Sequence, residues 1–167
     1  MKRCWVFLSV AFLMGGCTLH FPLVGSFTQS NEVFDGEIIH NPFTAHSDVR
    51  VKSHINGVTG RGFAQVTYIP YNTLTGGAEV KGQRGTFEIS CDDGRLIKGT
   101  WVAETLTSGY GWGEDQYGNP MRFIFGMKRK DVPAMVQAEL AKAAKRPPLP
   151  QPGAPTTQPV LIRQVQK

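Results

Sequence analysis

The sequence has no apolar run long enough to cross a membrane and none of the common catalytic motifs. Its longest apolar stretch, Cys4 to Met14, is interrupted only by Ser9, whereas a transmembrane helix needs roughly 20 apolar residues. The chain contains no G-x-S-x-G nucleophile elbow, no H-E-x-x-H, no C-x-x-C and no P-loop. We therefore expect no catalytic residue and no cofactor, and a hydrolase of unfamiliar type is the least favoured alternative.

The body of the chain also lacks an excess of charge of either sign. From Cys17 to Val132 there are 11 Lys and Arg against 12 Asp and Glu, and from Pro133 to Lys167 five basic residues against Glu139 alone. Because a nucleic-acid-binding domain needs a basic surface, we expect no nucleic-acid partner. The basic tail is either solvated or in contact with anionic headgroups or an acidic protein.

The first 17 residues have the order of a secretory signal. Lys2 and Arg3 precede the apolar run, and Gly15 and Gly16 end it directly before Cys17. The stretch Leu13-Met14-Gly15-Gly16-Cys17 resembles the lipobox of bacterial lipoproteins, with Met14 at a position that usually holds Leu. The alternatives are an ordinary signal peptide with an incidental cysteine and, less favoured, an uncleaved apolar helix.

The lipoprotein resemblance implies cleavage before Cys17, a diacylglyceryl thioether on its sulfur and acylation, for example by palmitate, of its amino group. Two or three acyl chains anchor a protein firmly to a membrane. Thr18 stands where an inner-membrane lipoprotein would carry Asp, so the implied location is the periplasmic face of the bacterial outer membrane. Cleavage would also leave Cys91 as an unpaired thiol, either buried and inert or paired between molecules.

Composition and periodicity divide the chain into five parts. They are a signal peptide (1–16), a tether after the lipidated cysteine (17–32), a β-domain (33–130), a helix (131–146) and a Pro-rich spacer with a terminal segment (147–167). Residues 147–159 contain six of the 11 prolines and predict an extended, disordered spacer. The terminal Val160 to Val165 is β-prone, and it either docks on an envelope partner's sheet, docks on its own sheet or stays disordered.

Short alternating segments separated by turn residues predict a mainly β fold, an antiparallel sandwich or a small barrel. The candidate strands are Val33–His40, Val49–Ile55, Arg61–Ile69, Thr86–Cys91, Leu96–Thr105, Tyr110–Gly113 and Arg122–Lys128.

A hairpin is predicted at Asp92-Asp93-Gly94, and Trp101, Phe123 and Phe125 are predicted to face the core. The C-terminal helix is expected to be capped by Asp131.

The stretch from Gly109 to Asn119 alternates glycine with aromatic residues. One interpretation is packing, in which the glycines make room for Trp101 or Phe123 and Asp115 to Asn119 forms a turn. The other is a ligand surface, because aromatic rings beside carboxylates suit sugar binding. Its candidate residues are Tyr110, Trp112, Glu114, Asp115 and Tyr117.

Three histidines, His40, His46 and His54, flank Asp48, but we expect them to lie on a polar surface and predict no metal site. Residues 85–127, with the hairpin Cys91 to Arg95 before the glycine-rich strand, resemble small envelope lipoproteins, which implies no known activity. The sequence therefore favours a lipid-anchored, non-enzymatic binding or assembly component of the cell envelope. A glycan- or ligand-binding β-domain is the alternative.

Overall fold

The structure, a computed structural model, describes residues 18–146 except Phe43, Ala45 and Thr75. The strands in this part are β1 (Leu19–Phe27), β2 (Val33–His40), β3 (His46–Ser53), β4 (Thr59–Tyr68), β5 (Tyr71–Asn72), β6 (Gly77–Ala78), β7 (Arg84–Cys91), β8 (Leu96–Ala103), β9 (Gly109–Asp115) and β10 (Pro120–Phe125). A 3₁₀ turn, Arg129–Asp131, leads into the helix α1, Val132–Ala143.

Eight strands close into one antiparallel barrel in the order β1, β2, β3, β4, β7, β8, β9 and β10, and β10 pairs again with β1. The short strands β5 and β6 form a hairpin between β4 and β7. The predicted mainly β fold with a short C-terminal helix is confirmed, and the architecture is the barrel. The predicted signal peptide 1–16, Cys17 and the tail 147–167 lie outside the described residues.

Side chains alternate between the lumen and the outside of the barrel along each strand. Phe87, Ile89, Ile97 and Phe123 belong to the main buried cluster inside the barrel. The predicted inward positions of Trp101 and Phe125 are confirmed, because both side chains pack against that cluster. The predicted strands all form, with ends within three residues of the predicted ones.

The helix α1 lies on the outside of β1 and β2. Its Val136 and Ala143 form a second buried cluster with Val24 and Val33 of the barrel wall. Asp131 occupies the N-cap position as predicted, but its side chain makes no capping hydrogen bond, because the 3₁₀ turn already leads the chain into the helix. The helix therefore gives this side of the barrel a covered outer face.

The strand β1 corrects the predicted domain boundary. We expected residues 17–32 to form a tether, but Leu19–Phe27 is a nine-residue strand that pairs with both β2 and β10. Its outward residue Val24 is buried because α1 covers it. A strand that is buried on both faces does not alternate between apolar and polar residues, so the pattern used to predict the other strands is missing here. Pro22 also argued against a strand, because proline is unfavourable in one. The barrel therefore begins two residues after Cys17.

Candidate functional site

The two ends of the barrel differ in how they are closed. One end, here called the mouth, is formed by the start of β1 and by the connections 41–45, 69–83 and 104–108. The opposite end, here called the closed end, is formed by the connections 28–32, 54–58, 92–95 and 116–119. Because every barrel strand runs between these two ends, the lumen can be reached only through one of them.

Arg95 holds the closed end shut. Its guanidinium donates two hydrogen bonds to the Glu32 carboxylate at 2.7 and 2.8 Å and a third to Asp93 at 2.7 Å. Its Cζ also lies 5.2 Å from the centroid of the Phe27 ring. These bonds to carboxylates, above all to Glu32, raise the pKa of Arg95. The β1–β2 and β7–β8 connections are therefore joined by a bidentate, partly buried ion pair across the barrel floor.

Gln116 extends the same closure to a third connection. Its side-chain oxygen accepts the Leu96 backbone N–H at 2.7 Å, and its side-chain nitrogen donates to the Gly94 carbonyl at 3.2 Å. Beneath the floor there is a void of only about 20 Å³. Nothing larger than a water molecule or two fits at this end.

Behind the mouth lies an apolar cavity of about 130 Å³. An apolar cavity of roughly 150 Å³ in another protein stays dry and binds benzene, so this space suits one apolar group of that size. An eight-stranded barrel is just wide enough to hold either its own side chains or one small ligand. The wall of the cavity includes Phe21, Leu23, Ile38, Val49, Phe87 and Phe123.

Glycines on the lumen face make the aromatic packing of this wall possible. A Cβ atom added to Gly111 would lie 2.3 Å from Cζ of Phe123, and one added to Gly85 would lie 2.4 Å from Cε2 of Trp101. The Phe87 and Phe123 rings meet edge to face with centroids 5.2 Å apart. The packing interpretation of the glycines is confirmed at Gly111 and Phe123.

Trp101 places an unusual buried hydrogen-bond donor in the lumen. Its ring lines the cavity, and its Nε1 is buried without a hydrogen-bond partner among the described residues. A buried donor left unpaired costs about 1–3 kcal/mol. A ligand that carries an acceptor oxygen and enters the cavity would satisfy this N–H group, which makes Trp101 the residue that can orient such a ligand.

Other polar groups lie nearer the mouth. His40 Nδ1 and Ser47 Oγ are hydrogen-bonded at 2.9 Å, and both line the cavity together with Gln83 and Thr105. The cavity is therefore apolar in its depth and polar at its entrance. This gradient suits an amphiphile with its polar end toward the mouth.

The glycine-aromatic strand has two different faces. Tyr110, Trp112 and Glu114 are exposed on the outside of β9, and the Tyr110 and Trp112 rings stack with centroids 5.9 Å apart. Tyr117 is 76% exposed in the following turn. Of the five candidate ligand residues, the structure thus brings three together on one outer surface, here called the aromatic patch (Tyr110, Trp112 and Glu114).

Asp115 points inward and stabilises the turn between β9 and β10. It is 4% exposed, and its carboxylate accepts the backbone N–H groups of Tyr117 and Asn119 and the Asn119 side-chain amide at 2.7 Å. Burial tends to raise its pKa, but the Asn119 and Tyr117 hydrogen bonds outweigh burial and hold the pKa below its ordinary value. Asp115 is therefore not part of the aromatic patch.

The histidines do not converge. His40 lies at the mouth, whereas His54 lies at the closed end and pairs with Asp35 at 2.9 Å. Among residues 18–146, apart from the three that are not described, no group of three or more His, Cys, Asp or Glu side chains is placed to hold a metal ion. Burial raises the pKa of the half-buried Cys91 thiol, so it is poorly ionised at neutral pH.

Two features of the site could not be predicted from the sequence. Whether the Trp101 N–H group finds a hydrogen-bond partner depends on what surrounds the ring, and the Glu32–Arg95 ion pair joins residues 63 positions apart. The sequence indicated only that the Trp101 side chain points inward.

No known protein family matches the chain, and no curated protein is similar to it. Two solved structures are similar in backbone. A de novo designed fluorescence-activating β-barrel shares 19% identity over 68% of this chain and 94% of its own, with a TM-score of 0.48. A redesigned β-barrel shares 12% identity over 66% of this chain and 90% of its own, with a TM-score of 0.49. In the described part of the chain, no helix has both the length and the apolar character needed to span a bilayer.

Proposed function

We propose that this protein is a lipid-anchored, non-enzymatic binding protein of the bacterial envelope whose barrel lumen holds the apolar end of a small amphiphile. The observation that supports this best is the apolar cavity of about 130 Å³ lined by Trp101, whose buried Nε1 has no hydrogen-bond partner within the part of the chain that the structure describes. A fatty acid or another single-chain acyl compound has the required combination of an apolar chain and an acceptor oxygen.

The anchor half of the proposal is supported by the lipobox-like sequence that ends at Cys17. The lumen supplies apolar side chains and, at its entrance, hydrogen-bonding groups, which is what binding an amphiphile requires. The protein would hold or hand over its ligand at the membrane surface.

Filling the cavity should abolish binding of a fatty acid. Ala64 is buried in the lumen wall, and Ala64→Phe places a ring in the space that the ligand would occupy. We expect the affinity for hexanoic acid, whose short chain suits a cavity of this size, to fall at least about tenfold, equivalent to roughly 1.4 kcal/mol. Isothermal titration calorimetry of the purified protein measures it.

Two further variants make this test specific. Arg61→Phe adds the same ring to the exposed outer side of the same strand and should leave the affinity unchanged. Trp101→Phe keeps a ring but removes the N–H group, and should weaken binding of the acid by about 1 kcal/mol without weakening binding of the corresponding hydrocarbon. Equal affinities in wild type and Ala64→Phe would refute lumen binding.

Removing the acylated cysteine should release or misprocess the protein. The proposed wild type has an intact mass matching a chain that begins at Cys17 plus its acyl groups, and it fractionates with membranes. Cys17→Ala should carry no lipid and stay uncleaved or leave the outer-membrane fraction. A wild-type chain without acyl mass would refute the proposed lipid anchor, while the proposal that the lumen binds an amphiphile would still stand.

The aromatic patch supports a second candidate, a glycan- or ligand-binding surface. The stacked Tyr110 and Trp112 rings are 40% and 50% exposed, and Glu114 lies on the same face. Trp112→Ala should then abolish retention on an immobilised peptidoglycan or polysaccharide column while sparing fatty-acid binding. Unchanged retention by a folded variant would remove this candidate.

A further inference from the structure

We propose that the mouth of the barrel rests on the lipid surface, so that the lumen opens into the membrane and not into the aqueous phase. This inference deepens the proposed function and rests on its Cys17 anchor. It concerns the orientation of the barrel and the surface that its mouth presents. The partner is the headgroup and upper acyl region of the membrane.

Exposed apolar side chains surround the mouth. Leu74 at the tip of the β5–β6 hairpin is 95% exposed, and Leu106 in the β8–β9 connection is 78% exposed. Such residues are costly in water but favourable at a membrane interface, where tyrosine is also common. The set, here called the rim, consists of Leu19, Tyr68, Ile69, Tyr71, Leu74 and Leu106, each at least 45% exposed.

The closed end exposes fewer large apolar side chains than the mouth. Among the described residues, the exposed large apolar side chains at that end are Ile55 and Tyr117. Asp92 and Asp93 are exposed there. One end of the barrel is therefore suited to lipid and the other to water.

The position of β1 connects the rim to the anchor. Leu19 is a rim residue and the first residue of β1, and only Thr18 separates it from Cys17. A chain spans at most about 3.6 Å per residue, so the Cys17 Cα lies within roughly 7 Å of the Leu19 Cα. An acylated Cys17 therefore holds the mouth close to the bilayer, which a long tether would not do.

Basic residues near the mouth add to the attraction. Lys81 and Arg84 are exposed in and directly after the 69–83 connection, and Lys128 lies just past the mouth end of β10, whereas Arg129 pairs with Glu37 on the outside of β2 at 3.4 Å. Glu79 and Glu104 are acidic residues of the same end. Cations beside an anionic leaflet stabilise contact with it, so the rim is expected to favour anionic lipid.

This orientation explains how an acyl ligand reaches the lumen. Leu106 both lines the cavity and is exposed at the rim, so the cavity entrance is continuous with the rim. An acyl chain entering there moves from one apolar environment to another without crossing water. Its acceptor end stays in the half of the lumen nearest the mouth, where Trp101, two residues from the mouth end of β8, can donate to it.

The test places a dye on each end of the full-length lipidated protein. Leu74→Cys and Leu106→Cys report on the rim, and Ile55→Cys is the matched control because Ile55 is a similarly exposed residue, 60%, at the closed end. Each variant is labelled with bimane and reconstituted in vesicles of phosphatidylethanolamine and phosphatidylglycerol that contain lipids brominated along the acyl chain. The unsubstituted chain measures any background labelling of Cys91.

We expect brominated lipid to quench the two rim labels at least about twofold and to leave the Ile55→Cys label unquenched. Equal, weak quenching at both ends of a protein whose mass shows acylation would overturn the orientation while the anchor stands. A chain without acyl mass that leaves the vesicles on washing would overturn the anchor and this orientation with it.

Discussion

Arg95→Met is expected to lower the free energy of unfolding by about 3 kcal/mol. Breaking one partner of a buried ion pair typically costs about 3–5 kcal/mol, because the remaining charge stays buried and unpaired. The Arg95 and Glu32 side chains are 16% and 14% exposed, so water offsets part of this cost. The substitution also removes the Asp93 hydrogen bond and the cation–π contact with Phe27.

Lys98→Met provides the matched control. Lys98 pairs with Glu88 at 2.8 Å, but the two side chains are 60% and 38% exposed, and exposed ion pairs contribute about 0–1 kcal/mol. Urea unfolding should show a clearly lower midpoint for Arg95→Met and a nearly unchanged one for Lys98→Met. Similar losses in the two variants would mean that the barrel floor is not a desolvated ion pair.

A third variant separates the charge from the packing. In Glu32→Gln/Arg95→Met the carboxylate is neutral, so no unpaired charge is buried at the floor. The double variant should therefore be more stable than the sum of the two single losses predicts, with a coupling of at least about 1 kcal/mol. Additive losses would show that Glu32 is well solvated when Arg95 is absent.

Local patterns predicted the parts of the barrel whose two faces differ. In β8, small and apolar residues occupy one parity, so Trp101 could be placed inside, and Asp92-Asp93-Gly94 indicated the hairpin before it. Gly94 indeed has a φ of 84°, which glycine adopts without strain. The same reasoning placed Phe123 and Phe125 on the inward face of β10.

β1 was missed because its surroundings come from distant parts of the chain. Val24 is covered by Val136 of α1, and Leu23 pairs with Phe125, more than 100 positions away. No local periodicity encodes either contact. The same holds for the cavity, because its volume depends on how side chains from all eight strands share the lumen. This correction matters for the proposed anchor, because β1 starts at the mouth and only Thr18 separates it from Cys17.

The aromatic patch shows how one segment can support two interpretations. The period-2 alternation of β9 puts Gly109, Gly111 and Gly113 inside and Tyr110 and Trp112 outside. Packing therefore accounts for the glycines but not for the two exposed rings. Asp115 belongs to the inward parity, so its carboxylate does not lie beside the exposed rings, although it is next to Glu114 in sequence.

Gly111→Ala is expected to lower the free energy of unfolding by about 3 kcal/mol. The new Cβ would lie 2.3 Å from Cζ and 2.4 Å from Cε1 of Phe123, and 2.8 Å from the Thr100 carbonyl oxygen. Overpacking a filled core typically costs about 1–3 kcal/mol, and the upper end applies here because the ring is also held against Phe87. Gly77→Ala is the control, because its Cβ would have no neighbour within 4 Å, and its effect should stay within about 0.5 kcal/mol.

A second substitution, at Phe123, tests whether the clash with its ring causes the loss of stability. Phe123→Leu removes both ring atoms nearest to the new Cβ, although alone it should cost about 1–2 kcal/mol through lost packing. Gly111→Ala/Phe123→Leu should then be more stable than additivity predicts by at least about 1 kcal/mol, as measured by urea unfolding of all four proteins. The rescue should be partial, because the Thr100 carbonyl oxygen remains close. Strict additivity would place the strain in the β8–β9 backbone, and the glycine would then serve strand pairing and not the aromatic wall of the cavity.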